Sequence, residues 1–195
     1  MKKAAWFAGV LLVPFLCASE GWQPVGPYGG SATAVAVDPS RPDTLLLGAR
    51  NSLIYRSDDQ GQSWRRLPFP RHFLGTVSAL AIDPSDSNRY FAAVSAEHSP
   101  YGGVWRSVDG GTTWTLSQDI AGMSAEALAV SPRNPRVLVA GTRQGVWRTT
   151  DGGEKWERIS RPYNHEMRVI TAVAIDPLSS DTIYAGTPHL PWKTA

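Results

Sequence analysis

One eight-residue phrase is written three times along this chain, as "SDDQGQSW" (Ser57–Trp64), "SVDGGTTW" (Ser107–Trp114) and "TTDGGEKW" (Thr149–Trp156). The shared frame is Ser/Thr-x-Asp-x-Gly-x-x-Trp. A second phrase keeps step with it: "AVAVDPSRPDTLLLG" from Ala34, "ALAIDPSDSNRYFAA" from Ala79, "ALAVSPRNPRVLVAG" from Ala127 and "AVAIDPLSSDTIYAG" from Ala172. Asp38, Asp83, Ser131 and Asp176 therefore stand 45, 48 and 45 residues apart. A fixed period of this length marks stacked supersecondary units, each of which buries its faces only against its neighbours.

Inside one unit the apolar residues alternate with period two, which predicts strands. "TAVAVD" reads as the first, "TLLLGA" as the second, "SLIYRS" as the third and "SWRRL" as the fourth, with the chain's 18 Gly and 15 Pro supplying turns. The predicted fold class is all-β: a β-propeller of four-stranded antiparallel blades, three complete and a fourth incomplete. In the first and third units the residue before the conserved Pro precedes the Asp of the eight-residue phrase by 21 and 20 positions. The same count from Asp176 falls at position 196, and "PWKTA" aligns with "VWRTT". The chain thus reads as a fragment, cut inside its fourth such turn, of a ring of about six to eight blades. The rival is a four-bladed ring. In either ring "GWQPVG" (Gly21–Gly26), similar to "SWRRLP" and "KWERIS", is expected to supply the outer strand of the final blade through Trp22–Val25.

An acid beside glycines can be a catalyst, a metal ligand or a folding device. In the turn between third and fourth strands a carboxylate accepts hydrogen bonds from backbone N–H groups that the turn leaves unpaired. The Gly two residues later takes a positive φ that a Cβ opposes, and the Trp buries a ring between sheets, worth roughly 1.5–3 kcal/mol. Catalysis collects its groups at one place, whereas one acid per blade is spread around a rim. Ser57, Asp59, Gly61, Trp64, Ser107, Asp109, Gly111, Trp114, Thr149, Asp151, Gly153 and Trp156 are accordingly structural residues in this reading.

These motifs resemble the Asp-box, or BNR, repeats of sialidase-like, sortilin-like and photosystem II assembly factor-like β-propellers, over about residues 21–195. The resemblance implies the fold and a peripheral, structural Asp box. It leaves activity open, because that family contains both hydrolases and non-catalytic binding proteins.

The N-terminus has its own logic. "MKK" precedes the apolar run "AAWFAGVLLVPFLCAS", the pattern of a secretory signal and too short and Pro-interrupted for a membrane span. The expected domains are a signal peptide over 1–19 and the propeller over 20–195, with an exported, secreted or periplasmic product. Lipidation of Cys17 is the weaker alternative, since bulky Leu16 precedes it. The chain has 19 Lys and Arg against 17 Asp and Glu; without Lys2 and Lys3 the balance is 17 to 17. No basic field for nucleic acid remains, and the lone Cys departs with the signal, leaving no disulfide or thiolate metal site.

Antiparallel strand order puts the "DPS" turns and Asp boxes on one face. The loops between second and third strands, and those between blades, lie on the other, where propellers of this kind meet ligands. All four histidines fall in those loops. The ligand-face candidates are His72, His98, Tyr101, Arg143, Tyr163, His165 and His189, and the loop acids Glu97, Asp119 and Glu166 are the weak catalytic candidates. No HExxH or other close-spaced ligand pair occurs, so neither metal nor cofactor is predicted. Arg56, Arg106, Arg148 and Lys193 each follow an aromatic residue; they are expected to pack edge-on between blades with their charges in solvent.

Three functions fit this face. The favoured one is an exported non-catalytic module or scaffold that binds a glycan, polysaccharide or protein ligand. The alternatives are a glycoside hydrolase of the Asp-box type, although the Arg-Ile-Pro motif of sialidases is missing, and an assembly factor for a membrane complex.

Overall fold

The structure, a computed structural model, describes residues 21, 23–27, 30–70, 74–162 and 164–194. The proposed signal segment, Trp22, His72 and Tyr163 lie outside the described residues. Four antiparallel sheets follow one another along the chain. The first comprises β1 (Ala32–Val37), β2 (Leu45–Ala49), β3 (Leu53–Ser57) and β4 (Arg65–Arg66). The second comprises β5 (Thr76–Asp83), β6 (Asp86–Ser95), β7 (Gly103–Ser107) and β8 (Thr115–Leu116). The third comprises β9 (Ala125–Val130), β10 (Leu138–Thr142), β11 (Gly145–Thr149) and β12 (Glu157–Arg158). The fourth has β13 (Ala172–Asp176), β14 (Ser179–Gly186) and β15 (Pro191–Lys193), in the spatial order β13-β14-β15. These are the predicted propeller blades, three complete and one with three strands. Inner strands β1, β5, β9 and β13 adjoin in sequence.

Period-two patterning sends alternate side chains of each blade into two different cores. Leu46, Ile54 and Leu67 of the first blade meet Tyr90, Ala92 and Trp105 of the second. Phe91, Ala93 and Val104, on the second blade's other face, meet Leu138, Ala140 and Trp156 of the third. Val139 and Val146 then meet Ile175, Ile183 and Ala185 of the fourth. Each core is an interface between sheets, which is why an isolated four-stranded unit has no stable fold of its own.

Polar staples register the blades. Thr33 Oγ1 donates to Gly48 O in its own blade (3.1 Å) and to Val77 O in the next (2.7 Å). Ser78 Oγ repeats this with Ala93 O (3.1 Å) and Ala125 O (2.6 Å). The arginine ladder departs from the expected solvent-facing role. Arg56 donates to the Tyr90 hydroxyl (2.8 Å), Arg106 to Gly152 O (3.4 Å) and Arg148 to Asp181 (2.6 Å), each on the following blade. A guanidinium reaches that far on its stem and carries donors enough to grip a neighbour's backbone.

Candidate functional site

The Asp boxes show what the acidic motif does. In the second box Ser107 Oγ donates to Asp109 Oδ1 (2.8 Å) and accepts from the N–H groups of Asp109 and Gly111 (3.4 and 2.9 Å). Asp109 in turn accepts from the N–H and hydroxyl of Thr113 (2.9 and 2.6 Å). The first box has the same bonds through Ser57, Asp59, Gly61 and Ser63. In the third, Thr149 replaces the serine and Lys155 supplies its N–H. Donors aimed at a carboxylate favour its charged form. Hydrogen bonds from Ser63, then Ser57, hold Asp59 down to about 2; those from Thr113, then Ser107, hold Asp109 down to about 2. Burial acts to raise Asp151, but the bonds from Lys155, Thr149 and Glu154 outweigh it and lower its value. Gly111 needs to be glycine twice over: its φ is +85°, and a Cβ there would meet Leu67 Cδ1 at 2.5 Å.

On the opposite face the loops differ from blade to blade. The β6–β7 loop carries Glu97 and His98, both exposed, and the β10–β11 turn carries Arg143. The structure brings these three together at the junction of the second and third blades. Arg143 pairs through Nη1 with Glu97 and through Nε with Glu126 Oε1 (3.0 Å), which also accepts from Ser95 Oγ (2.8 Å). One guanidinium thus joins two carboxylates from different blades. Beside it lies a shallow cavity of about 180 Å³ lined by Glu97, His98, Met123, Ser124, Arg143 and Gln144. His98 (φ +55°) and Ser124 (φ +47°) both hold the left-handed conformation, uncommon for residues with a Cβ. Charged forks, an imidazole and an amide beside an apolar methionine form a surface suited to hydroxyl-rich ligands.

Glu126 was missed by pattern reading, and its signal is a break in the repeat. It occupies the place of Thr33, Ser78 and Thr171 ("TAVAV", "SALAI", "EALAV", "TAVAI"). Where a hydroxyl staples two inner strands in the first two blades, this carboxylate turns to Ser95 and Arg143 instead.

The other candidates are placed apart. Asp119 Oδ2 accepts the backbone N–H of Trp156 (3.0 Å), tying the end of the second blade to the third blade's Asp box. His165 and Glu166 sit on a short 3-10 turn, His165–Met167, between the third and fourth blades, and His189 sits in the β14–β15 turn. Tyr101 is half-buried against the first core and its carbonyl accepts from Trp105 Nε1 (3.0 Å). Among the described residues no cluster of three or more His, Cys, Asp or Glu has metal-holding geometry, and no helix is long and apolar enough to cross a membrane.

Comparison with known proteins agrees with the repeat. The family model for the BNR/Asp-box repeat matches residues 55–66. A xyloglucanase of Acetivibrio thermocellus is 29% identical over 137 residues, covering 61% of this chain and 16% of that protein. The chain therefore spans about a sixth of the length of that curated relative. The structure of an ancestral GH74 enzyme superposes with a TM-score of 0.73 at 23% identity, covering 89% of this chain and 24% of the other. YCF48 from Cyanidioschyzon merolae superposes with a TM-score of 0.54 at 17% identity, covering 86% and 56%. At these identities the two structures show the shared propeller fold.

Proposed function

We propose that this chain of Asp-box β-propeller blades is exported and binds a polysaccharide on its loop face, at the junction of the second and third blades, without cleaving it. The observation that carries the reading is the Glu97–Arg143–Glu126 bridge, formed where the repeat loses its hydroxyl staple. A residue that abandons a repeated structural bond to build a polar surface beside a cavity answers to something other than the fold. Sugar hydroxyls match alternating donors and acceptors of this kind, and the similarity to a xyloglucanase points to a xyloglucan-type β-glucan as the ligand class. Catalysis is not assigned, because the two carboxylates that meet, Glu97 and Glu126, are both engaged by Arg143, and the three loop acids stand in three different settings. Glu97 is ion-paired with Arg143, Asp119 accepts from Trp156 N–H, and Glu166 lies on the 3-10 turn at the next junction. A cleaving pair instead needs two carboxyls about 5–10 Å apart across a cleft.

The test is affinity electrophoresis and calorimetry on the purified protein with xyloglucan, cello-oligosaccharides and sialylated glycans, with sugar release followed in parallel. Binding to xyloglucan without release, weakened about 10-fold or more by Arg143→Ala, supports the proposal. The similarity to a xyloglucanase keeps one second reading alive, a glycoside hydrolase. Release of sugar abolished by Glu97→Gln, Asp119→Asn or Glu166→Gln would replace the binding reading with that one.

A further inference from the structure

The Glu97–Arg143–Glu126 bridge is made by side chains from two blades, and one residue holds the backbone on both sides of it. Ser124, just before β9, is buried. Its Oγ accepts the N–H of Ala96 (3.0 Å), the residue before Glu97 in the second blade. Its carbonyl accepts the N–H of Arg143 in the third blade (3.3 Å). Two residues on, Glu126 accepts from Ser95 Oγ (2.8 Å), the residue before Ala96. Alternate residues of an extended segment share a face, so Ser124 and Glu126 meet consecutive residues at the end of β6.

The backbone at Ser124 is bent to make these bonds. Its φ of +47° is left-handed, a conformation that a Cβ opposes. The residue in its place in the second blade, Thr76, lies within β5 and faces Ser95 in the ordinary ladder. In the fourth blade that place belongs to Val169, which is left-handed too (φ +56°) but has no hydroxyl to offer a neighbour. Val169 N–H donates to Arg143 O (3.4 Å), so the Arg143 backbone is gripped through both its N–H and its carbonyl. The second blade's loop is fitted to the same residue: Gly122 N–H donates to Gly102 O (2.7 Å), and a Cβ on Gly102 would meet Ala96 O at 3.0 Å and Ser124 N at 3.2 Å.

This anchoring matters because the bridge above it is exposed. Arg143 and Glu97 are long side chains, 44% and 56% exposed, and an ion pair of that kind gains little over the entropy lost in ordering its two arms. Its geometry is therefore set by the backbones that carry it. Holding those backbones in place before a ligand arrives removes an ordering cost from binding. Ser124 and Ala96 also line the cavity of about 180 Å³ beside the bridge.

We propose that Ser124 is a positioning residue for the loop-face site: through its hydroxyl and its carbonyl it fixes Glu97 against Arg143, and so pre-forms the surface on which a glucan chain is bound. The assignment rests on the polysaccharide reading of that site for its ligand. Its mechanism is independent of the ligand.

Ser124→Gly removes the hydroxyl while leaving a residue at ease with positive φ, so the fold is kept. Ser124→Ala removes the same hydroxyl without the added freedom of glycine. Hydrogen exchange followed by mass spectrometry on the unliganded protein should show residues 96–102 exchanging about 10-fold faster or more in both variants, with β9, β10 and β11 at parental rates. Calorimetry with xyloglucan should show binding weakened about 10-fold. If Ser124 acts through the bridge, Ser124→Gly combined with Arg143→Ala should bind no more weakly than Arg143→Ala alone. Unchanged exchange at residues 96–102, or losses of affinity that add in the double variant, would overturn the proposal. A parent protein that failed to bind xyloglucan would instead overturn the polysaccharide reading, and the exchange rates would then decide by themselves whether Ser124 holds the two segments.

Discussion

The two ends of each blade obey different rules. At the Asp-box end three turns repeat the same bonds, so that Ser57, Ser107 and Thr149 donate to Asp59, Asp109 and Asp151 at 2.7, 2.8 and 2.8 Å. At the loop end the same β-hairpin position holds a tight turn at Asn51–Ser52, a longer excursion through Glu97–Gly102 and a turn at Arg143–Gln144. The difference teaches where each kind of information sits. Residues that recur in register answer to the packing of one blade on the next. Residues that break register, such as Glu126 and Arg143, are free to answer to a ligand.

The comparison breaks most sharply at Trp156, which is buried between the second and third blades. Trp156→Ala should destabilise by about 3–5 kcal/mol, the range for emptying a buried aromatic site. Trp64→Ala should cost less, because Trp64 remains half-exposed on the first blade. Urea unfolding of both variants checks the order; equal losses would mean that the Asp-box tryptophans are not inter-blade wedges.

Next in size is Ser107→Ala. It strips a buried turn of the acceptor for Gly111 N–H and the donor to Asp109, and should cost about 1–3 kcal/mol. Arg143→Ala, at the exposed loop end, gives up two exposed ion pairs and should cost no more than about 1 kcal/mol while losing ligand. Opposite results in paired unfolding and binding measurements would merge the two ends into one functional unit.

A smaller, pH-dependent effect belongs to the carboxylates of the same turns. Asp59 and Asp109 titrate at about 2 in the folded protein, below the unfolded value of about 3.9. With the folded value depressed, the unfolded chain takes up the proton first as pH falls. The contribution is complete above about pH 4 and is lost as pH drops toward 2. Melting temperature followed from pH 5 to pH 2 should fall, and less steeply in Asp59→Asn with Asp109→Asn.

Legibility in the sequence followed the same division. The Asp box announces itself because the turn has one chemical solution, and any blade that uses it must spell it the same way. Strand boundaries fell within a residue or two of "TLLLGA" and "SLIYRS" for the same reason. The loop face could be listed but not assembled: nothing in the residues around Glu97, near the end of β6, states that they meet Arg143 from another blade. That contact depends on how two sheets stack. The arginine ladder was visible as a period, while its grip on the following blade was not, because a side chain's reach is settled by what lies within its length.

The finest test exchanges one rule for the other at a single position. Glu126→Thr writes into the third blade the residue that Thr33 supplies in the first. A hydroxyl there has the same acceptors at hand, Gly141 O in its own blade and Ile170 O in the next, corresponding to Gly48 O and Val77 O. The new staple adds a hydrogen bond of about 1 kcal/mol, while the lost bond from Ser95 Oγ removes about as much and the lost Arg143 pair, 44% exposed on the arginine side, no more than about 0.2–1 kcal/mol. Stability should therefore stay within about 1 kcal/mol of the parent. Arg143 keeps Glu97 alone, and the bridged surface beside the cavity is dismantled without disturbing the blades. Xyloglucan binding measured by calorimetry should fall several-fold in this variant, with an unfolding midpoint close to the parent's. Unchanged affinity would return Glu126 to the role of a tolerated exception in a structural repeat.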